Sequence, residues 1–500
     1  MDTSRVPVQL LVDYSGMTSI FSKLRLAPKH PPLYFYNSAT HKKEKFESLK
    51  PGVVSMYSCG PTVYDHIHIG NLRSFVTADL AKRVCQYNGY EVKHTLNFTD
   101  FGHLTDDGDD GEDKMMKALK REGKPITLSA MRDIAQVYID SFKDDNRLIR
   151  NTPPTTYTPA SEYVTEQIQL IKTLYEKGYA YETSDGVYFD ISKFPRYGIL
   201  GNINLDALKD GARVEINPEK RHPADFALWK KGLLGWESVW GKGFPGWHIE
   251  CTAMCFSTLG KQIDIHTGGE DLQYTHHNGE IAQAESATGK PYVRYWIHNA
   301  HLKIDDTKIA KSLGNGIRLK SLIDQGFPAV AYRYWLLTGH YRSTLNFTME
   351  ALESSKQALF RLKRFMFSEQ SEKVGKVNEA YRKQFHTAIN DDIDTPRAVA
   401  VMWELMKDAQ VSDADKVATL REFDKVFDIG LSDAPSDVRR ELGIMKDEEI
   451  PETVQILVNE RKVAREERDW TKADSIREAI NLLGYTVEDT PEGQRISKAG

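Results

Sequence analysis

One stretch near the start of the chain limits what it can fold into. Val53-Val54-Ser55-Met56-Tyr57-Ser58 reads as a strand. Residues 69–88 carry Leu72, Phe75, Val76, Leu80 and Val84, whose spacings of three and four make a helix. Asn88-Gly89 stops it, and Glu91 to Asn97 reads as the next strand. Parallel neighbours need a crossover, so strand, helix and strand in this order predict an α/β chain built on a parallel sheet. Leu33 to Tyr36 reads as a leading strand, and Ile263 to His266 and Tyr295 to His298 as buried ones. Residues 114–182 read as mostly helical, and 183–250, rich in Gly, Pro and Trp, as loops and short strands. Helical periodicity dominates from Ile317 to Val487, with a dip at 431–451. The C-terminal half is therefore expected to be all-helical, with a linker at the dip.

At 500 residues the chain exceeds one hydrophobic core, and about three domains are expected. Its 40% hydrophobic and 27% charged content excludes collagen-like, low-complexity and wholly disordered classes. No run of 18 apolar residues occurs, so no membrane partner is expected. Gln9 to Val12 is too short for a secretory segment and is broken by Asp13. Residues 1–32 lack periodicity and end in Pro28-Lys29-His30-Pro31-Pro32, and are expected to form a loosely attached or disordered extension. Four cysteines, at 59, 85, 251 and 255, are too few for a disulfide scaffold and point to a reduced, cytoplasmic setting. The net charge of -5 divides into -2 over residues 1–310, +7 over 311–390 and -10 over 391–500. A basic middle segment suits contact with a polyanion, although a solvated helical face has the same composition.

Three constellations carry chemistry. Cys59-Gly60-Pro61-Thr62-Val63-Tyr64-Asp65-His66-Ile67-His68-Ile69-Gly70-Asn71 spans the turn from strand to helix, where open α/β sheets bind ligands. Backbone N–H groups at the helix start, with His68, can meet phosphate, and Gly70 allows a nucleotide close approach. Lys308-Ile309-Ala310-Lys311-Ser312 offers two lysines three apart that can clamp a triphosphate. Cys251 and Cys255 lie four apart, as do His276 and Glu280, and their S, N and O donors suit zinc. Spacing alone pairs Cys251 with Cys255. The aspartates of 100–113 fit a calcium loop poorly and read as a solvated loop.

His68-Ile69-Gly70 on a first βα turn, with Lys308-x-x-Lys311-Ser312 about 240 residues later, resembles the class I aminoacyl-tRNA synthetases. Gly246-Trp247-His248-Ile249-Glu250-Cys251, Asp264 to Leu272 and His276 to Gln283 narrow the resemblance to the cysteinyl-tRNA synthetases, as do Asp391 to Pro396 and Asp469 to Asp474. The resemblance implies a Rossmann-like α/β catalytic domain over 33–316, containing the zinc site and an inserted acceptor-end region. It also implies a helical stem-contact domain over 317–430 and a small anticodon-binding domain over 431–500. The implied reaction joins L-cysteine to tRNA(Cys) with ATP and Mg2+, through cysteinyl-adenylate, in a monomer.

The resemblance assigns one zinc to Cys59, Cys251, His276 and Glu280, and leaves Cys85 and Cys255 structural. It implies catalytic roles for His68, Asn71, Lys308 and Lys311. It puts ATP against His68, Gly70, Asn71, Gly268, Gly269, Lys308, Lys311 and Ser312, and cysteine against Gly60, Thr99, Trp247 and Asp271. Two positions depart from the family pattern: Asn71 stands where histidine is usual, and Ile309-Ala310 where methionine and serine are usual. Arg461, Arg465, Arg468, Trp470 and Lys472 form a patch with an aromatic that can stack on a splayed base. Two rivals are an amino-sugar cysteine ligase, which needs no C-terminal helical domain, and an inactive RNA-binding paralogue, which needs none of these side chains.

Lys311→Ala is expected to slow cysteine-dependent ATP–pyrophosphate exchange by a large factor while cysteine affinity changes little, because its charge acts in the transition state. An unchanged exchange rate would remove Lys311 from the mechanism.

Overall fold

In the computed structural model, the described residues are 31–101, 114–203, 217–305, 307–308, 316–367, 374–434, 437–438, 442, 449–490 and 493–498. The expected extension, apart from Pro31 and Pro32, lies outside them. So do residues 102–113 of the acidic loop, residues 309–315 with Lys311 and Ser312, and much of the dip at 431–451.

The sheet grows from the βαβ unit. Strand β1 (Val53–Ser58) leads into helix α1 (Ile69–Tyr87) and strand β2 (Glu91–Phe98). Helix α2 (Leu128–Leu148) then leads to strand β3 (Thr156–Pro159). Helix α3 (Trp247–Thr258), strand β4 (Ile263–Gly269), helix α4 (His276–Thr288) and strand β5 (Val293–Asn299) complete the sheet and its covering helices. The sheet order is β5-β4-β1-β2-β3, and every pairing is parallel. Strands β2, β4 and β5 are buried along most of their length, polar residues included, as expected of a parallel sheet covered on both faces. From β1 the chain steps outward to β2 and β3, then returns to the other side of β1 as β4. That reversal is a topological switch point, and it opens a crevice at the strands' carboxyl ends.

Strand β3 falls inside the stretch expected to be helical. It is four residues long and ends at Pro159, and its pairing with Thr95 to Phe98 of β2 decides its state. The expected short strands and loops of 183–250 supply three strands of a four-stranded antiparallel sheet whose longest member runs from Phe226 to Trp236; the fourth, Ala180–Glu182, falls in the stretch expected to be helical.

The C-terminal part is helical across Met349–Met366, Glu379–Ile389, Thr395–Lys407, Asp413–Phe427, Glu452–Glu466 and Trp470–Leu482. It is not all-helical. Tyr485–Thr490 and Gly493–Lys498 pair as an antiparallel hairpin, bringing Val487 opposite Ile496. Both side chains are buried with Val454, Ile476 and Ile480, so a local alternation overrides the helical trend. This small core is separate from the main one, which draws residues from Leu33 to Ile149 and from Ile265 to Leu431, and from a second core that holds most of the intervening stretch. Residues from 391 to 431 belong to the main body. Asp392 accepts hydrogen bonds from Tyr36 N (2.8 Å) and Tyr341 Oη (2.6 Å).

A buried ion pair ties α1 to the helical region. Asp79, 3% exposed, accepts from Arg333 Nη2 (2.5 Å), Arg83 Nε (2.8 Å) and Thr152 N (2.7 Å). Arg333 is fully buried and also donates to the carbonyls of Phe427 (2.6 Å) and Ile149 (3.2 Å). Burial pushes the Asp79 carboxyl up, but Arg333 and Arg83 pull it below its ordinary value.

Asp79→Asn should cost about 3–5 kcal/mol in urea unfolding, because it leaves Arg333 buried without its counter-charge. A depressed carboxylate stabilises fully above its unfolded pKa near ~4, so the difference between wild type and variant should vanish as pH falls through the lower native pKa. A difference that did not narrow as pH is lowered below about 4 would contradict the pairing.

Candidate functional site

The crevice is a cavity of about 420 Å³ lined by segments that follow β1, β2, β4 and β5. Cys59 and Gly60 come from the end of β1, Thr99 from β2, Gly268 and Gly269 from β4, and Asn299 to Leu302 from β5. His68, Gly70 and Asn71 enter from the first turn of α1, Trp247 and Cys251 from α3, and His276 from α4. Thus the nucleotide and amino-acid positions expected from sequence converge here, with the exceptions given below.

Backbone geometry explains several glycines. A Cβ on Gly60 would lie 1.6 Å from the carbonyl oxygen of Asn97, so no larger residue fits while β1 packs there. One on Gly269 would lie 2.3 Å from Asp271 Oδ1, within the cavity wall. Both keep the backbone available to a ligand at the strand ends.

The helix start explains Asn71. His68 is the N-cap of α1: the Asn71 N–H donates to His68 Nδ1 (3.2 Å), and the His68 N–H donates to Asn71 Oδ1 (3.2 Å). This reciprocal cap needs an acceptor three residues into the helix, and the asparagine amide supplies it without a charge. Asn71 thereby orients the histidine beside the exposed N–H groups of the helix.

Next to these groups lies a cluster of metal donors. Cys59, Cys251, His276 and Glu280 bring one donor atom each within 4.8 Å of one another. The two sulfurs are 3.9 Å apart, and His276 Nε2 is 3.3 Å from Cys251 Sγ and 3.2 Å from Glu280 Oε1. Cys59 Sγ is 3.7 Å from Glu280 Oε1. A tetrahedral zinc site has edges of about 3.8 Å between sulfurs, about 3.6 Å between S and N, and about 3.3 Å between N and O. The S–S, S–N and N–O distances of the cluster match those edges within a few tenths of an ångström. Cys255 is fully buried and its thiol is driven up by burial, as expected of a structural cysteine.

A second set, Cys59, His266, His277 and Glu280, meets the same distance test. The two oxygens of Glu280 separate the sets. Oε1 faces Cys59 and His276, while Oε2 accepts from His266 Nε2 (3.1 Å). His266 therefore orients the carboxylate, as His248 does His276 through an Nδ1–Nδ1 contact of 3.1 Å. Burial and the neighbouring His276 bring His248 down to about 3, so it is neutral and can accept from His276 Nδ1–H. His277 turns Nδ1 to His298 (2.7 Å) and Nε2 to Cys59 Sγ (3.3 Å), so Cys59 is shared by the two sets, while Nε2 stands farther from Glu280 Oε1 (3.9 Å) than His276 does. Sequence spacing gave no means of separating these histidines, because His266 and His277 lie within the same motifs as the ligands.

Charge in the cluster is shared. Burial pushes the Cys251 thiol up, but the hydrogen bond from Cys59 and the charge of His276 bring it down to about 6. Burial and Cys251 hold the Cys59 thiol well above the ordinary range. His276 is held up at about 10, against burial, by Cys251 and Glu280, and Glu280 down at about 2, against burial, by His266 and His276. Cys59, Cys251 and His276 line the cavity and Glu280 sits behind them, so the open side of the donor set faces the cleft.

Thr99 donates to Glu250 Oε2 (2.8 Å), which ties the end of β2 to α3. Lys308 lies on the short strand Thr307–Lys308, its backbone in register with Lys303. Ser74, Asn97 and His301 also line the cavity, and no sequence motif marked them.

In the C-terminal patch, Arg461 departs from expectation. It is 2% exposed and makes a bidentate pair with Asp489 (2.8 and 2.9 Å), so its guanidinium serves the small core and not RNA. Arg465 stacks over the ring of Trp470 at 5.3 Å, and Trp470 is 55% exposed. Arg468 and Lys472 are exposed beside it. Among the described residues, no helix is long and apolar enough to cross a membrane.

The chain matches two families. The one described as tRNA synthetases class I (C) catalytic domain covers residues 45–357, and the one described as cysteinyl-tRNA ligase anticodon binding domain covers residues 447–496. Curated relatives include a cysteine–tRNA ligase of Burkholderia lata, 42% identical over 93% of this chain and 97% of that protein. One from Treponema denticola is 38% identical over 91% of this chain and 98% of its own length. Among solved structures, methionyl-tRNA synthetase of Mycobacterium tuberculosis with methionyl-adenylate superposes at a TM-score of 0.53, with 14% identity, over 79% of this chain and 95% of that one. A LeuRS–tRNA ternary complex from Agrobacterium radiobacter gives a TM-score of 0.56, with 12% identity, over 79% and 86%. These two show the same fold.

The wild-type chain is expected to retain one zinc after dialysis, and Cys251→Ala less than about a tenth of that, because the remaining donors cannot close the set. Metal analysis showing a full equivalent in the variant would remove Cys251 from the site.

Proposed function

The chain belongs to the cysteine–tRNA ligases, class I aminoacyl-tRNA synthetases, and on that premise we propose how its residues carry the reaction. Zinc is held by Cys59, Cys251, His276 and Glu280 and, when bound, supplies a soft acid that prefers a thiolate to a hydroxyl or methyl group. Such a preference is needed, because a pocket sensing one hydroxyl or methylene discriminates by only about 1–3 kcal/mol. The carrying observation is that three zinc donors and the His68-Ile69-Gly70-Asn71 turn line one cavity at the switch point of the sheet.

The residues then divide the work. Trp247, Gly60, Thr99 and Asp271 position cysteine beside the donors. His68, Gly70 and Asn71, with the N–H groups of α1, receive the phosphates, and Gly268 and Gly269 let the nucleotide approach β4 closely. Lys308, Lys311 and Ser312 stabilise charge on the departing pyrophosphate, with Mg2+ assisting. The product of this half is cysteinyl-adenylate, whose acyl group passes to a ribose hydroxyl at the end of tRNA(Cys).

We assign 33–316 to catalysis, 317–430 to contact with the tRNA stem and 431–500 to the anticodon, in a cytoplasmic monomer. The net +7 of residues 311–390 suits the first contact, and exposed Trp470 with Arg465, Arg468 and Lys472 suits the second. The match of 447–496 to an anticodon-binding family speaks against an amino-sugar ligase, and the intact donor set against an inactive paralogue.

Cysteine-dependent ATP–pyrophosphate exchange followed by tRNA charging tests the proposal. Exchange is expected with cysteine and to be at least about a hundredfold weaker with serine. No exchange with cysteine, or equal exchange with serine, would overturn it. Because residues 391–431 belong to the main core, the informative truncation ends near residue 446: it should keep exchange and lose most charging. Trp470→Ala should lower tRNA affinity by about 1–3 kcal/mol with little change in the salt slope, since stacking releases no counterions.

A further inference from the structure

Asn97 is a buried polar side chain in the wall of the catalytic cleft. Alternation along β2 puts it there. Leu96 and Phe98 turn into the main core, so Thr95, Asn97 and Thr99 share the opposite face. Thr95 Oγ1 meets Thr258 Oγ1 (3.1 Å), and Thr99 donates to Glu250 Oε2 (2.8 Å); both partners stand on α3. Asn97 sits between these two tethers, on the side from which Trp247 and Cys251 of α3 enter the cleft.

The orientation of its amide is fixed. The Gly60 N–H donates to Asn97 Oδ1 (2.8 Å), and the reversed amide would set N–H against N–H. Nδ2 is thereby held away from Gly60. Among the described residues no acceptor meets it, although Asn97 is only 1% exposed. Nor is Nδ2 sealed inside the protein, as His94 Nδ1 is on the same strand. The opening left to it is the cleft that Asn97 lines. A rigid donor in a nearly closed wall, with no acceptor of its own, is available to a ligand oxygen.

We propose that Asn97 is a further substrate-binding residue, whose Nδ2–H donates to a carboxyl oxygen of the bound cysteine. The inference rests on the reading of the cleft as a cysteine site. Cysteine brings three groups. Its thiolate goes to the metal donors. Its ammonium has only protons to offer and needs acceptors, which the Asp271 carboxylate and Thr99 Oγ1 supply, the Thr99 proton being spent on Glu250. Its carboxyl needs a donor. Gly60 has no side chain to give one, and Trp247 lays its ring along His276, with 4.4 Å between centres. The Asn97 amide fills that place.

A neutral donor suits the chemistry. A cation there would hold the carboxylate tightly and blunt it as a nucleophile, whereas an amide orients it and leaves its charge. One carboxyl oxygen attacks the α-phosphorus of ATP, and pyrophosphate leaves with the electrons of the broken P–O bond. The Nδ2–H stays on the other oxygen, which becomes the acyl carbonyl, and no proton moves.

Calorimetry of the zinc-loaded chain at about pH 8 tests the assignment with two ligands, L-cysteine and cysteamine, which keeps the thiol and ammonium but lacks the carboxyl. Wild type should bind both. Asn97→Asp keeps an acceptor for the Gly60 N–H and puts an oxygen where the donor stood. It should bind L-cysteine at least about tenfold more weakly, and cysteamine no more weakly than wild type does. Asn97→Ala should show the same split, with cysteamine within about twofold of wild type. Zinc content equal to wild type should show that the site is intact in both variants. Equal weakening of the two ligands, wild-type affinity of Asn97→Asp for L-cysteine, or loss of zinc from both variants would overturn the assignment. A wild-type chain that bound neither ligand would instead overturn the reading of the cleft itself, and this inference with it.

Discussion

The parallel pairing of β1 on both sides holds the rest of the molecule in place. Met56 and its neighbours bond to β2 on one edge and to β4 on the other, yet β4 arrives more than 160 residues after β2. No local turn can make that pairing, because parallel neighbours need a crossover. The chain fills the interval with α2, β3 and the antiparallel sheet, then returns through α3. Because the excursions leave β1 in opposite directions, their connecting turns diverge and the crevice opens between them. The metal donors, the helix cap and the glycine-lined wall all stand on that one edge.

Burying polar groups at the edge imposes a second constraint. Each must find a partner, and the donor cluster shows how. Glu280 divides its two oxygens between the cleft and His266, and His276 divides its two nitrogens between the cleft and His248. His248 is neutral because burial disfavours its charge, which lets it orient His276 without competing for a cation. The same rule appears between α1 and the helical region. There Asp79 and Arg333 are affordable only together, and they fix the helix that presents His68 and Asn71 relative to the segment assigned to the tRNA stem.

Much of this was legible in residue order. The apolar spacing of Leu72, Phe75 and Val76 announced α1, and the runs at 263–266 and 295–298 announced β4 and β5. Strand β3 was not legible: Thr156 to Pro159 has no periodicity of its own and extends only because β2 offers an edge. The terminal hairpin was hidden in the same way, since Val487 and Ile496 become a pair only across a turn. Arg461 looked like a free cation in a basic run, and Asp489, which neutralises it, lies 28 residues away.

Residue order by itself determined the local elements and the chemical inventory. A period of 3.6 or 2 needs only neighbours, and sulfur, imidazole and carboxylate donors are visible wherever they stand. Choosing among the donors was beyond it. Spacing favoured Cys251 with Cys255, since four residues bring them to one helical face, but a metal site is a condition on distances and not on sequence intervals. Only the tertiary structure decided that Cys59, 192 residues from Cys251, lies 3.9 Å from it, while Cys255 turns into the core. The physical reason is that β1 and α3 meet only after the sheet has closed around the switch point.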